Sequence, residues 1–212
     1  MLSRNPDCLE KLRKEHDEVL GVIDETPNII KQDPHIINKL EYTLAVVREV
    51  LRLWPPVNST RGGEPDLVLH DPKSGEAYPT EGFLVSIEIY GVHHNAKVWG
   101  DSVETFDPSR FLDADRQPEE GFRPFEKGSR NCIGQELAML ELRIVLALVA
   151  RSFDFKLAYN ELDMLKNDGS FWAEDESYRR GKQDLDGEEA WSTLLTTAKP
   201  REGMPVRVNR VS

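Results

Sequence analysis

The stretch PFEKGSRNCIGQELAMLEL, residues 124–142, contains one of only two cysteines in the 212-residue chain. Cys132 follows a Gly- and Arg-containing run and precedes a long apolar segment. Because Gly134 and then helix-forming residues come next, we expect the sulfur at or near the start of a helix. Unpaired backbone N–H groups and the positive helix end favour a thiolate there, and Arg130 adds another positive charge. A thiolate is the form that binds a metal ion or attacks an electrophile.

Several roles are open to a lone cysteine. Most single cysteines are small buried apolar side chains, and Cys8, in the first turn of a predicted helix, fits that description. A nucleophilic cysteine needs a partner histidine, but none of the five histidines stands in a recognisable catalytic signature. A zinc site needs several ligands at short spacing, and the adjacent His93 and His94 are expected to point to opposite faces of a strand. The residues support neither alternative well.

The decapeptide FEKGSRNCIG resembles the haem-binding signature F-x-x-G-x-R-x-C-x-G of the cytochrome P-450 family at every fixed position. The resemblance implies a haem b cofactor whose iron has Cys132 as its axial thiolate ligand. It implies that Arg130 pairs with a haem propionate and that Phe125 covers the thiolate side of the ring. Gly128 would allow the turn that presents the sulfur. Gly134 would let the helix approach the porphyrin without an intervening side chain.

Two further segments resemble the same family. The segment REVLRLWPP contains Glu49 and Arg52 on one helix face, about eighty residues before the cysteine. Alone, such a pair is an ordinary surface ion pair that contributes under about 1 kcal/mol. The segment FDPSRF resembles the family's F-x-P-E-R-F, with Ser109 in place of the usual glutamate. The resemblance implies that Arg110 joins Glu49 and Arg52 in a buried structural triad beneath the haem.

Looser matches lie between and after these segments. Arg61 would correspond to the second propionate-binding arginine, although its spacing from the preceding proline pair is one residue shorter than usual. His94 stands at a position that the family often fills with histidine. The closing segment AKPREGMPVRV resembles the strands that often line the substrate pocket.

The periodicity of the rest predicts a mainly α fold with small β-sheets, of the α+β class. Apolar spacing predicts helices over residues 6–20, 33–54 and 135–153, the last apolar on most sides and therefore buried. Period-two alternation and turn residues predict two strands within DLVLHDPKSGEAYPTEGFLVSIEIYGVHH. Short strands are also predicted in STLLTTAKP and MPVRVNRV. Residues 99–121 are polar but aromatic, which indicates an ordered loop.

Composition restricts the function further. A net charge of −11 argues against a nucleic-acid partner, because phosphate binding requires a basic surface. Two cysteines build no disulfide framework. No secretory signal opens the chain and no apolar run approaches the ~20 residues of a membrane span, so the chain reads as soluble. We expect the longer parent protein at the cytosolic face of the endoplasmic-reticulum membrane, attached through an N-terminal anchor that this chain lacks.

The resemblance covers nearly the whole chain. Residues 1–212 are therefore interpreted as the C-terminal haem-binding portion of a single cytochrome P-450 domain, with an acid-rich surface insertion over residues 160–189. The family's N-terminal half is missing, and with it the central helix whose A/G-G-x-D/E-T pattern relays protons. No catalytic side chain is thus expected in this chain. The residues of these motifs resemble those of fungal members of the family.

The resemblance implies a monooxygenase that inserts one oxygen atom from O2 into a small apolar substrate. An NADPH-dependent flavoprotein reductase would donate electrons and dock on a basic patch of Arg123, Lys127 and Arg130. Some family members instead rearrange oxygenated substrates without a reductase, and these residues do not separate the two. The alternative is a truncated, non-catalytic remnant, with or without haem. We expect the isolated chain to be inactive.

Overall fold

The computed structural model of the chain describes residues 1–118, 120–165, 188–194 and 197–211. Within them the fold is mainly helical with small sheets, which confirms the predicted α+β class. The α-helices of this part are α1 Pro6–Leu20, α2 Thr26–Gln32, α3 Glu41–Leu53, α4 Ile89–His93, α5 Ala96–Trp99, α6 Gln135–Val149 and α7 Tyr159–Leu165. The strands are β1 Ser59–Gly62, β2 Val68–His70, β3 Ala77–Pro79, β4 Leu84–Ile87, β5 Phe153–Leu157, β6 Ser192–Leu194, β7 Ala198–Pro200 and β8 Val206–Arg210.

The strands form antiparallel pairs. β1 pairs with β4, which places Arg61 opposite Val85, and β2 pairs with β3. β5 pairs with β8, so the last strand returns to the end of α6, and β6 pairs with β7. The described sheets are therefore small additions around a helical body.

Helix α3 occupies the centre of that body. It packs against α1, α6 and the 3-10 turn Pro108–Phe111. One side contributes Val46 and Leu53 to an apolar cluster with Leu12, while the other places Ala45 beside Trp99. Since α3 contacts these three elements and also α4, side chains on it are fixed by tertiary packing.

The first turn of α3 is capped from another helix. Leu40, the residue before α3, makes no side-chain cap. Instead the Glu15 carboxylate of α1 accepts hydrogen bonds from the Tyr42 N–H at 2.6 Å and the Thr43 N–H at 2.9 Å. A carboxylate at a helix N-terminus satisfies free N–H groups and interacts favourably with the helix dipole.

The prediction of one helix over residues 33–54 is wrong. Pro34–Lys39 is a 3-10 helix, and Leu40, at φ −85° and ψ 70°, separates it from α3. Ile37 and Leu40 are spaced for a continuous α-helix, but their burial beside Leu20 and Ala147 is achieved with the tighter 3-10 turn. Glu15 then starts a new helix at the following N–H groups. Helix α2 was not predicted either.

The prediction that the helix after Cys132 is buried is also wrong. In α6, Met139 and Ala147 are buried, but Leu137 is 61% exposed and Val145 is 55% exposed. No part of the chain that the structure describes covers this apolar face. The hydrophobicity of a segment predicts that its apolar surface will be buried. It does not identify the segment or the partner that buries that surface.

Most of the predicted acid-rich insertion, residues 160–189, lies outside the described residues, which resume at residue 188. Residues 160–165 continue α7.

Candidate haem-thiolate site

The loop before α6 presents the Cys132 side chain to solvent. Its N–H donates to the Phe125 carbonyl at 2.8 Å, which closes the loop. Gly128 has φ +77°, a region that glycine enters without the steric cost of a Cβ. Cys132 is a free and exposed thiol, and α6 begins three residues later with Gly134 as its N-cap. The loop therefore holds the sulfur beside a helix N-terminus by backbone hydrogen bonding.

Apolar and small residues follow Cys132 in the chain. Ile133 is fully exposed, and Leu137 one turn later is also largely exposed. A Cβ at Gly134 would lie 3.8 Å from the Cys132 sulfur, so any larger side chain would occupy the space beside it. Arg130 is exposed and has no hydrogen-bond partner among the described residues. An accessible thiol, exposed apolar side chains and a free guanidinium are what a haem ring with its propionates would require.

Arg61 and the loop meet through one carboxylate. Arg61 on β1 lies 3.6 Å from Glu126, and Arg123 donates to the same carboxylate at 2.9 Å. Arg61 also donates to the Ser59 hydroxyl at 2.6 Å. Glu126 has φ +62°, an unusual conformation for a residue with a Cβ. The structure therefore brings Arg61 to the loop, where it is partly neutralised, and it shows a link through Glu126 that the sequence analysis missed.

The three residues predicted as a triad form one buried cluster. Arg52 donates through Nε and Nη2 to both oxygens of Glu49, each at 2.8 Å. Arg110 lies 3.7 Å from the same carboxylate and donates to the backbone oxygens of Trp99 at 3.3 Å and Ser102 at 3.0 Å. Burial lowers the pKa of Arg110, while Glu49 opposes that shift. The pair is thus a desolvated ion pair and differs from an ordinary surface one.

The cluster of Glu49, Arg52 and Arg110 holds in place the segment between β4 and the loop that carries Cys132. The Arg52 guanidinium donates to the His93 carbonyl at 3.0 Å, and the Asp107 N–H donates to Glu49 at 3.0 Å. Both guanidiniums face the Trp99 ring, at 5.2 Å for Arg52 and 5.9 Å for Arg110. Aromatic faces attract cations, so Trp99 adds a favourable contact to two buried charges.

His93 is a further buried residue of this region that the sequence analysis missed. The ring lies between the carbonyl of Arg52 and the N–H of Arg123, at 2.9 Å from each. Burial lowers its pKa to about 4. His94 caps the neighbouring Leu53 carbonyl at 3.0 Å and contacts Glu104 at 2.9 Å. Contrary to expectation, the two histidines lie at the end of the short helix α4 and not on a strand.

A cleft of about 650 Å³ lies between α3, the loop and α6. Arg48, Arg143 and Lys127 line it together with Glu126 and Glu136. The predicted basic patch is more neutral than its sequence indicated, because Arg123 pairs with Glu126 at 2.9 Å and Lys127 pairs with Glu120 at 3.6 Å.

Comparisons with known proteins identify the family of the chain. The family model described as cytochrome P-450 matches residues 1–178. The chain is 38% identical, over its whole length, to the cytochrome P-450 monooxygenase polC of Polytolypa hystricis, of which it covers 37%. It is 36% identical over 98% of its length to the cytochrome P-450 monooxygenase acrF of Aspergillus aculeatus, of which it covers 45%. The chain therefore belongs to the cytochrome P-450 family, as a portion of less than half the length of these relatives.

A solved structure is similar in fold. The retinoic-acid-bound cyanobacterial CYP120A1 aligns with 99% of this chain at a TM-score of 0.71 and 24% identity, and the match covers 40% of that protein. Family membership implies a haem cofactor. The relatives polC and acrF come from fungi, which agrees with the fungal character expected from the motif residues. Among the described residues, no helix is both long and apolar enough to cross a bilayer.

Proposed function

We propose that this chain carries the haem-binding portion of a monooxygenase that inserts one oxygen atom from O2 into a small apolar substrate. The supporting observation is the exposed Cys132 thiol on a loop closed by its own backbone hydrogen bond to Phe125, at 2.8 Å. The fungal monooxygenases that the chain resembles support the reaction class.

Five features of this region would hold haem b. The Cys132 sulfur would ligate the iron, and Arg130 and Arg61 would pair with the propionates. Phe125 would pack on the thiolate side of the ring, and Gly134 would leave room for the porphyrin edge. Bound haem would supply oxygen activation, and the Cys132 thiolate would favour it by donating electron density.

The chain's own residues prepare that site. The Cys132 N–H is occupied by the Phe125 carbonyl, so the loop conformation is set before any ligand arrives. Ile133 and Leu137 offer an apolar surface that would exclude water from the sulfur. The Glu49 cluster anchors the segment that precedes the loop.

The cleft between α3 and α6 supports a reductase as electron donor. Arg48 and Arg143 lie close enough that burial and the Arg143 charge lower the pKa of Arg48. The lining of this cleft has three cationic and two anionic side chains, and on a chain of net charge −11 this small local excess of positive charge would attract an acidic surface of a flavoprotein that uses NADPH. The partner's identity and an endoplasmic-reticulum location of the parent protein stay predictions.

A truncated, non-catalytic remnant, with or without haem, is the second candidate. The exposed apolar face of α6 favours it, because Leu137 and Val145 would require cover in a working enzyme. The 212-residue chain alone is then expected to be inactive. Long-read sequencing of the transcript across Met1 would separate the two candidates. A frame that continues upstream into a helix with the G-x-D/E-T pattern supports the monooxygenase, and a stop codon supports the remnant.

The haem-thiolate assignment is tested by Cys132→Ser in a haem-reconstituted protein. We expect the thiolate-type spectrum of the reduced carbon monoxide complex to disappear, since serine supplies no thiolate. Cys8→Ser is the matched control, because Cys8 packs at the edge of the apolar cluster around Leu12. A thiolate-type spectrum that survives in Cys132→Ser would contradict the assignment.

A further inference from the structure

Helix α3 ends in a way that leaves the carbonyl groups of Arg52 and Leu53 without backbone donors from the residues that follow. The chain continues from Leu53 through Trp54 into two prolines, whose nitrogens carry no hydrogen. The last carbonyls of a helix require partners from elsewhere. His93 and His94 supply them, since the His93 Nδ1 lies 2.9 Å from the Arg52 carbonyl and the His94 Nε2 lies 3.0 Å from the Leu53 carbonyl.

The opposite nitrogen of His93 reaches the segment that leads to the cysteine. Its Nε2 accepts the N–H of Arg123 at 2.9 Å. One nitrogen therefore donates and the other accepts, which is the pattern of a neutral imidazole protonated on Nδ1. The ring is fully buried and stacks on Phe122 at 5.7 Å between centroids. The lowered pKa of His93 agrees with the neutral form.

From Arg123 the contacts continue to the sulfur-bearing residue. The Arg123 carbonyl accepts the Glu126 N–H at 3.0 Å, and the Arg123 guanidinium pairs with the Glu126 carboxylate at 2.9 Å. The next link is the hydrogen bond from the Cys132 N–H to the Phe125 carbonyl, at 2.8 Å. A displacement of Arg123 would therefore move the turn that holds Cys132.

We propose that His93 is a positioning residue for Cys132. Its neutral ring bridges the end of α3, which carries the Glu49–Arg52 ion pair, and the start of the Cys132 loop. The inference deepens the proposed function and rests on it, because the position that matters is that of the axial sulfur.

His94 provides an internal comparison. It caps the carbonyl next to the one that His93 caps, but its second nitrogen faces the Glu104 carboxylate at 2.9 Å and not the loop. If His93 only capped α3, loss of either ring would have the same effect on the Cys132 loop. If His93 positions the loop, only its loss changes that loop.

The test is hydrogen exchange of residues 123–132 in the 212-residue chain, in a Cys8→Ser background. Replacing His93 by Phe removes both hydrogen bonds and keeps a ring. We expect His93→Phe to accelerate exchange in this segment about tenfold, the effect of one lost buried hydrogen bond, and to change the labelling rate of the Cys132 thiol. We expect His94→Phe to leave both readouts within about twofold of the parent.

Two conservative variants keep the test decisive if His93→Phe does not fold. The amide of His93→Gln can reach the Arg123 N–H, so most of the protection should return. The shorter His93→Asn reaches only the Arg52 side, so protection should remain lost. Equal exchange in the Gln and Asn variants, or equal effects of the two Phe variants, would overturn the proposal.

A haem titration of the same variants separates this proposal from the proposed function. We expect His93→Phe and His93→Asn to bind haem with a reduced share of the thiolate-type carbon monoxide spectrum, and His93→Gln to restore it. If the unmodified chain and a longer parent bind no haem, the proposed function fails. The exchange comparison would still show whether His93 positions the Cys132 loop.

Discussion

Glu49 and Arg52 form a residue pair that is common on helix surfaces, but in this fold the pair is buried. An E-x-x-R pair on a helix surface contributes little, because water competes for both charges. Here Glu49 and Arg52 are fully buried, and Arg110 is nearly so. Removing water makes the pairing obligatory, since an unpaired charge in this environment would be costly.

Glu49→Gln should therefore destabilise the protein strongly. The variant leaves two buried guanidiniums without a countercharge, and we expect a loss of about 3–5 kcal/mol in the free energy of unfolding. Urea unfolding at pH 7 measures it. Glu41→Gln, on an exposed position in the first turn of the same helix, is the control and should cost less than about 1 kcal/mol. Similar losses in both variants would show that the cluster contributes no more than a surface pair.

At the scale of elements, α6 has two unlike faces. Met139 and Ala147 are buried, whereas Leu137 and Val145 face solvent. Exposed apolar patches of this kind mark contact surfaces. A helix that is apolar on most sides is thus only half buried in the part of the chain that the structure describes.

Substitutions on the two faces of α6 should differ. Val145→Asp is expected to change the free energy of unfolding of the 212-residue chain by less than about 0.5 kcal/mol and to weaken any self-association through this face. Met139→Asp buries an unpaired carboxylate and should cost several kcal/mol. Urea unfolding and analytical ultracentrifugation measure both effects. A large loss of stability in Val145→Asp would mean that this face is covered in solution.

Element boundaries followed from sequence where local chemistry decides them. Pro6 and Gly21 correctly predicted the bounds of α1, because Pro favours a first turn and Gly follows a last one. The break at Leu40 could not be predicted, since Glu15 starts α3 from another helix. His93 was missed for a similar reason. The two prolines after Trp54 were the available signal, because they indicate carbonyls that need distant donors.

At the scale of the whole molecule, the family was recognisable because ten adjacent residues carry its signature. The ligand loop is local, so its pattern is visible in the sequence. The relation between Arg61 and Glu126 is not local, and only the fold brings the two to 3.6 Å. Helical spacing places His16 on the same face of α1 as Leu12, whereas no local pattern predicts that His93 is also fully buried.

These histidines predict how stability depends on pH. Burial is the main cause that lowers the pKa of His16 and of His93 from 6.5 to about 4. The unfolded chain then binds protons that the folded chain does not, so stability is full above pH 6.5 and falls as the pH drops towards 4. Each histidine should contribute a loss of roughly 3 kcal/mol over that window.

Urea unfolding at pH 7, 6 and 5 measures this dependence. His16→Gln should remove about half of the slope between pH 6.5 and 5, where most carboxylates remain ionised. His35→Gln, at an exposed position, is the matched control for the loss of a histidine. A free energy of unfolding that does not vary with pH in this range would contradict the burial of neutral rings.

Both ends of α3 are capped by side chains from other segments, and this has a consequence for how the chain folds. Isolated helices shorter than about 12–15 residues are marginal in water, and α3 has 13 residues. Its N-terminal cap comes from 27 residues upstream of Tyr42, and its His93 cap lies 41 residues beyond Arg52. During synthesis α3 therefore leaves the ribosome well before its second cap exists. The Glu49–Arg52 ion pair must stay hydrated until the segment around His93 has been synthesised. The last folding steps therefore bury this ion pair by packing C-terminal segments against it.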